Sequence, residues 1–240
     1  MKKTSVFLCL ISFFLFSSCG LETYVYLNPV ENINSNINYA EIYLPSGQPF
    51  QFRNYIIYYR IYLSNRSEPT FATEQQINNV NTTLFQDYKR LDSYTANDNV
   101  SPTAIDTVFR NLGYYSLFIS PDQTRGDPLD SVLNVAAGGT ILLYFNDSQI
   151  PPLLEYPSGI RYYLFRANNF ISQPTRLFTY SEDLANSVIS NTVNTDLQVK
   201  TGAAPVEVAY VSMYIVAFGI DENYSPLYSR PTHIGIFLLP

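Results

Sequence analysis

Tryptophan is absent from this chain, and only two cysteines and one histidine occur among its 240 residues. Scarcity of thiol and imidazole excludes an ordinary zinc site, which draws its ligands from those side chains. It also narrows nucleophilic catalysis, which needs an activated nucleophile beside a base. The one imidazole, His233, lies in the alternating run Thr232-His233-Ile234-Gly235-Ile236-Phe237 and reads as a histidine at the edge of a core. The sequence has no Gly-x-Ser-x-Gly elbow and no glycine loop spaced to cradle phosphate. A Ser–Lys pair would have to use Lys89 or Lys200, and neither sits in a recognisable motif. Basic residues are few, 14 Lys and Arg against 20 Asp and Glu. So acidic a chain repels phosphate backbones, so nucleic acid is not an expected partner. No cofactor is implied.

What the chain does carry begins at its N-terminus. Met1-Lys2-Lys3 is cationic, and Val6–Phe16 forms an 11-residue apolar core. That length suits a signal-peptide core and falls well short of the ~20 residues that span a bilayer as a helix. Phe16-Ser17-Ser18-Cys19-Gly20 follows at once. Small residues before a cysteine resemble the lipobox of bacterial lipoproteins. The resemblance implies that residues 1–18 are a signal peptide and that Cys19 becomes the lipid-modified first residue of the mature chain. Phe16 stands where Leu is the commonest choice, a looser form similar to that of spirochaetal lipoproteins. Multi-chain acylation would hold the protein firmly, where one acyl chain anchors only weakly. Gly20 occupies the place of the familiar Asp retention signal, so the outer membrane is favoured over the inner as the cell-envelope address. Cys9 lies inside the removed segment, so no mature thiol is left to form a disulfide.

Residues 19–240 then number 222, carry 12 basic and 20 acidic side chains, and read as a single domain with a substantial core. The chain holds 21 Tyr and 16 Phe. Strands favour such residues, and tyrosine also serves as stiff, amphipathic contact area on binding surfaces.

Leu21–Leu27 alternates and reads as a strand, Asn32–Asn38 as a half-exposed extended stretch or loop, and Tyr39–Leu44 as a second strand closed by Pro45-Ser46-Gly47. In the run Tyr55–Leu63 one face carries Tyr55, Ile57, Tyr59, Ile61 and Leu63 and is apolar enough to meet a core. The other carries Ile56, Tyr58, Arg60 and Tyr62. Two helices follow. Thr73-Glu74-Gln75-Gln76 is a capping box leading to Ile77, Val80, Leu84, Tyr88 and Leu91 at helical spacing. Ser101 is an N-cap and Pro102 the first helical residue. Ile105, Val108, Phe109 and Leu112 form the apolar stripe, and Gly113 stops the helix. The pair reads as a helical hairpin inserted near 64–113. Strands resume at Tyr114–Ile119, Thr140–Phe145, Ile160–Arg166, Val206–Phe218 and His233–Leu239, with a short helical turn from Ser181 through Ile189. About eight strands around one helical insertion predict a mainly β fold, since strands and helices do not alternate.

Tyr214-Ile215-Val216-Ala217, then Ser225 and Ser229-Arg230-Pro231, resemble the closing strands of a fibronectin type III domain, where an S-x-P turn precedes the last strand. Asn28-Pro29 and Tyr55–Leu63 fit its opening and third strands. The resemblance implies an antiparallel immunoglobulin/fibronectin type III-like β-sandwich with Tyr214 inside it. It covers the two ends of the mature chain, leaves residues 64–205 unmatched, and carries no function. The run Tyr210–Ile234 also resembles uncharacterised spirochaetal lipoproteins. Asp122, Asp127 and Asp130 cluster in a turn-rich segment and are weak candidate metal ligands, although their spacing is not that of a calcium loop. With nucleophiles, bases and soft ligands so scarce, the expected function is a non-catalytic binding or interaction module, lipid-anchored through Cys19 and meeting a protein or glycan partner. The alternative is an envelope hydrolase acting through paired carboxylates.

Metabolic labelling with a fatty acid should tag the wild-type chain and leave Cys19→Ala unlabelled. Label retained by Cys19→Ala, with continued partition into detergent, refutes the assignment.

Overall fold

The computed structural model describes residues 25–64, 104–121, 133, 135, 137–145, 152–166, 176–177, 197–198 and 208–239. Among them lie thirteen strands and one helix. The strands are β1 (Asn32–Ser35), β2 (Tyr39–Tyr43), β3 (Phe52–Ser64), β4 (Tyr115–Ser116), β5 (Phe118–Ser120), β6 (Thr140–Tyr144) and β7 (Leu153–Glu155). They continue with β8 (Arg161–Arg166), β9 (Arg176–Leu177), β10 (Leu197–Gln198), β11 (Val208–Ile220), β12 (Pro226–Tyr228) and β13 (Thr232–Leu238). Helix α1 (Ala104–Asn111) lies between β3 and β4.

β3 and β11 are dense in β-branched and aromatic residues, which suit a pleated, buried surface. They pair antiparallel from Val208 opposite Ser64 to Gly219 opposite Phe52. β12 and β13 hold the far edge of β11, and β4 and the parallel β10 hold the far edge of β3, completing a six-stranded sheet. The other sheet runs β1-β2-β6-β7-β8-β5 with β9 also on β8, all antiparallel.

Side chains alternate across each strand, so every strand has one inward set. Ala40, Ile42, Ile141, Leu143, Leu154 and Leu164 from the first sheet meet Tyr55, Ile57, Tyr59, Ile61, Val211, Met213 and Ile215 from the second in one buried cluster. The fold is therefore mainly β, two sheets sharing one core in a sandwich-like arrangement. The chain crosses between the sheets at Leu117. β4 pairs with β3, the Leu117 amide donates to the Ile57 carbonyl at 2.8 Å, and β5 pairs with β8. The expected strand Tyr114–Ile119 is thus two short strands in different sheets.

The Tyr55–Leu63 alternation describes β3 correctly, but its second face is also buried. Ile56, Tyr58, Tyr214 and Val216 form a second apolar cluster on the outer face of the second sheet, closed by Ile105 and Phe109 of α1 and by Tyr114. The helix ends as its sequence dictates. Gly113 adopts φ 78°, its amide donates to the Arg110 carbonyl (2.9 Å), and the Tyr114 amide donates to the Phe109 carbonyl (2.8 Å). This is a Schellman ending, with the usual apolar contact supplied by the Tyr114 and Phe109 rings at 5.9 Å.

Three expectations are corrected. Val25–Leu27, the described end of the expected strand Leu21–Leu27, is not a strand; the extended stretch beyond it forms β1. Thirteen strands, not eight, occur among the described residues, because β7 is packed between two proline turns and β9, β10 and β12 are too short for a periodic signal. Tyr214 is buried, but outside the inter-sheet core and under α1, because an alternating pattern sorts residues into faces without saying what covers each face. The Ser101 and Pro102 cap, the capping box at Thr73, the first helix and the Ser181–Ile189 turn lie outside the described residues.

Phe109 is fully buried and stacks on Tyr58 at 4.1 Å between centroids. Phe109→Ala should cost roughly 3–5 kcal/mol of unfolding free energy, read from denaturant titration. A loss under about 1 kcal/mol, the range of surface changes, would mean that α1 does not seal this face.

Candidate functional site

The outer face of the second sheet collects the polar side chains that the sequence left unassigned. Register places Tyr62 opposite Tyr210, Arg60 opposite Ser212 and Tyr58 opposite Tyr214. The Schellman turn brings Tyr114 over this layer, its ring 5.3 Å from that of Tyr214. Tyr62 and Tyr114 hydroxyls lie 3.2 Å apart, Tyr114 donates to Ser212 Oγ (3.1 Å), and Ser212 Oγ meets His233 Nε2 at 3.1 Å. With the Tyr114 proton committed to Ser212, Tyr62 donates to Tyr114. Ser212 Oγ keeps one lone pair and its own proton for His233 Nε2, so either neutral tautomer of the imidazole completes the chain. A buried hydroxyl without a partner costs about 1–3 kcal/mol, so this chain of bonds is what allows the phenols inside.

The surrounding charges follow the same logic. Arg60 Nη1 donates to the Leu112 carbonyl (2.7 Å), where the helix leaves its last carbonyls open and its dipole is negative. Tyr58 donates to Asp106 Oδ1 (3.3 Å), and Asp106 pairs with Arg110 at 2.8 Å. Burial, the largest cause, raises the Tyr58 phenol far above its ordinary value, and the Asp106 carboxylate adds to it. Burial likewise raises Tyr114 and Tyr214. Burial pushes His233 down to about 4, so the imidazole is neutral at physiological pH. Serine hydroxyl to neutral imidazole is also the elementary geometry of an activated nucleophile. Here Ser212 is wholly inaccessible to solvent and already accepts from Tyr114, so the pair organises a core.

The outer face of the first sheet is different, because much of it meets water. Register sets Asn34, Glu41, Leu142, Glu155 and Arg161 in one row across β1, β2, β6, β7 and β8. A neighbouring row holds Tyr39, Tyr144, Leu153 and Tyr163, and Tyr43 stands opposite both Asn32 and Thr140. Tyr43 and Tyr144 are exposed, and Tyr39 and Glu41 are half-buried. Asn34 Nδ2 donates to the Tyr39 hydroxyl at 3.2 Å, and Arg161 donates to Glu155 at 2.7 Å. A hydrogen bond to Glu41 is the main cause that raises the Tyr43 phenol. Burial, then the Glu155 charge, raises Tyr144. Glu41 and Glu155 flank Leu142 two strands apart, about 10 Å at their Cα atoms. They lie on an open face with Glu155 held by Arg161.

Of the residues singled out from the sequence, His233 and Tyr214 are brought together, their rings 4.8 Å apart. Cys19, Asp122, Asp127 and Asp130 lie outside the described residues. The tyrosine face itself was missed. Its signal is the alternation Tyr39-Ala40-Glu41-Ile42-Tyr43 and Thr140-Ile141-Leu142-Leu143-Tyr144, in which the outward set is half aromatic.

In the unfolded chain His233 takes up a proton near its ordinary value of 6.5, and in the fold only near 4. Its contribution to stability is therefore fully present above the upper value and is lost as pH falls through that window. Between pH 7 and pH 4 the denaturation midpoint of the wild type should fall further than that of His233→Gln, whose amide can either donate to or accept from Ser212. Parallel declines would show that this histidine is not the group responsible. Compared with models of protein families, with curated protein sequences and with solved structures, the chain matches none.

Proposed function

We infer that this chain is a lipid-anchored protein of the bacterial cell envelope, favouring the outer membrane, whose β-sandwich is a non-catalytic binding module for an extended glycan. The observation that carries the reading is the solvent-facing tyrosine row Tyr39–Tyr144–Tyr163 beside the polar row Asn34–Glu41–Glu155. Phenol rings suit the apolar faces of sugar rings, while amide and carboxylate oxygens accept from hydroxyls. An open face spread over several strands favours a chain-like ligand over a small substrate enclosed in a cleft. The polar chemistry beneath α1 is consumed in holding the fold, which supports binding over catalysis.

The fibronectin type III-like identity belongs to the same proposal. Antiparallel β11–β13 pairing supports it, as does the Ser229-Arg230-Pro231 turn, where Ser229 Oγ accepts from the Ala217 amide at 2.8 Å. The position of α1 between β3 and β4 supports a helical insertion after the third strand.

Purified peptidoglycan sacculi are the probe. The full chain should sediment with them, and the double substitution Tyr39→Ala with Tyr144→Ala should weaken retention roughly tenfold, about 1.4 kcal/mol. Unchanged retention in the double variant, with the fold intact, would sink the contact face.

A further inference from the structure

We propose that the end of the domain carrying Tyr26, Phe50, Ile160 and Tyr224 sits in the membrane interface, so that the protein stands on the bilayer in one orientation. This rests on lipid attachment at Cys19.

Strand polarity gathers five chain segments at this end. β2, β7 and β11 finish there, and β3, β6, β8 and β12 begin there. Hydrogen bonds tie the segments together. Asn28 bonds Gln48 and Gly47 at 3.0 and 2.7 Å, the Leu44 amide donates to the Gly139 carbonyl at 2.9 Å, and the Ile220 amide donates to Gln51 at 3.0 Å. Pro157 packs on Gly139, where an added Cβ would lie 2.9 Å from its ring.

From these segments project the four most exposed large apolar side chains among the described residues: Tyr224 at 90%, Phe50 at 85%, Tyr26 at 64% and Ile160 at 50%. Tyr43 and Tyr144, on the outer face of the first sheet, reach only 38% and 36%. The backbone holds these tips outward. Tyr224 has φ 62°, a conformation a bulky residue seldom adopts. Asp221 braces that turn by accepting from the Asn223 and Ser225 amides at 2.8 and 2.7 Å. Arg53 braces Phe50, donating to its carbonyl at 3.1 Å with the guanidinium 5.8 Å from the ring.

The same end receives the chain from its anchor. Val25 stands six positions after Cys19, with five residues between, a stretch that spans at most about 20 Å. Tyr26 follows immediately, and Asn28 is already bonded to the loop that carries Phe50. A domain tethered so closely meets the bilayer at high effective concentration, so a few apolar tips suffice. Tyr and Phe are side chains suited to the level of the headgroups, where an apolar ring and a wet hydroxyl are both satisfied. Asp221 and Glu222 stand three and two residues before Tyr224 in the same turn, so the contact is apolar and not an attraction to anionic lipid.

Because the chain contains no tryptophan, single substitutions can report depth in the full lipidated protein. Phe50→Trp and Tyr224→Trp go to the membrane-facing end and Tyr144→Trp to the sheet face, each protein reconstituted in phosphatidylcholine vesicles. Emission should shift to the blue and be quenched by brominated lipid for Phe50→Trp and Tyr224→Trp, unchanged at high salt, while Tyr144→Trp stays unquenched. Protein that floats with the vesicles but quenches equally at all three positions overturns the proposal and leaves the anchor standing. Protein that fails to float overturns both. Quenching at the two tips without acyl label on Cys19 keeps the contact and removes the anchor.

Discussion

The pairing of β3 with β11 is the constraint on which the rest of the molecule depends. Twelve register pairs join these strands at the centre of the second sheet, and both faces of the ladder are buried. One face supplies half the inter-sheet core; the other is roofed by α1 and Tyr114. Strands buried on both faces usually read as continuous apolar runs. Here the outer face mixes Ile56 and Val216 with Tyr, Ser and Arg, so a sheet centre that could have been purely aliphatic must satisfy a set of hydroxyls. The relay from Tyr62 to His233 is the solution, and it couples the helix turn, the central ladder and β13 in a single set of bonds.

Tyrosine does here what tryptophan does in other β-domains. Tyr55, Tyr58, Tyr59, Tyr62, Tyr114 and Tyr210 rank among the largest fully buried side chains. Each brings a large apolar ring together with a hydroxyl that needs a partner. The hydroxyl adds direction to packing that would otherwise depend on shape alone, because the ring is stable only in the register that completes its hydrogen bond. Burial raises the phenols of Tyr58, Tyr114 and Tyr214 and lowers His233, so these four groups are held in their neutral forms.

Local signals in the sequence proved legible where physics is local. The alternation of β3 located its inner face at Tyr55, Ile57, Tyr59 and Ile61. Gly113 marked a helix end because only a left-handed residue makes that turn easily. Long-range facts were not legible. Nothing in Ile56-x-Tyr58 says that a helix fifty residues on will cover it, and nothing in Leu197-Gln198 says that it pairs in parallel with Ile61 and Tyr62. For the site, His233 was correctly placed at the margin of a core, but its partners Ser212 and Tyr114 come from two other elements. The tyrosine face of the first sheet was hidden for a related reason. Its rows run across strands, and a row of that kind exists only after register is set.

The passage of the chain through Leu117 has a mechanical meaning. In many sandwiches the two sheets are joined only by loops at their ends and by the fluidity-free packing between them, and can in principle shear. Here a continuous stretch of six residues hydrogen-bonds first to β3 in one sheet and then to β8 in the other, with Leu117 buried between. The sheets are stitched as well as stacked. Parting one layer from the other would have to break the β3–β4 or the β5–β8 hydrogen bonds as well as the core between them, which couples the opening of one sheet to that of the other.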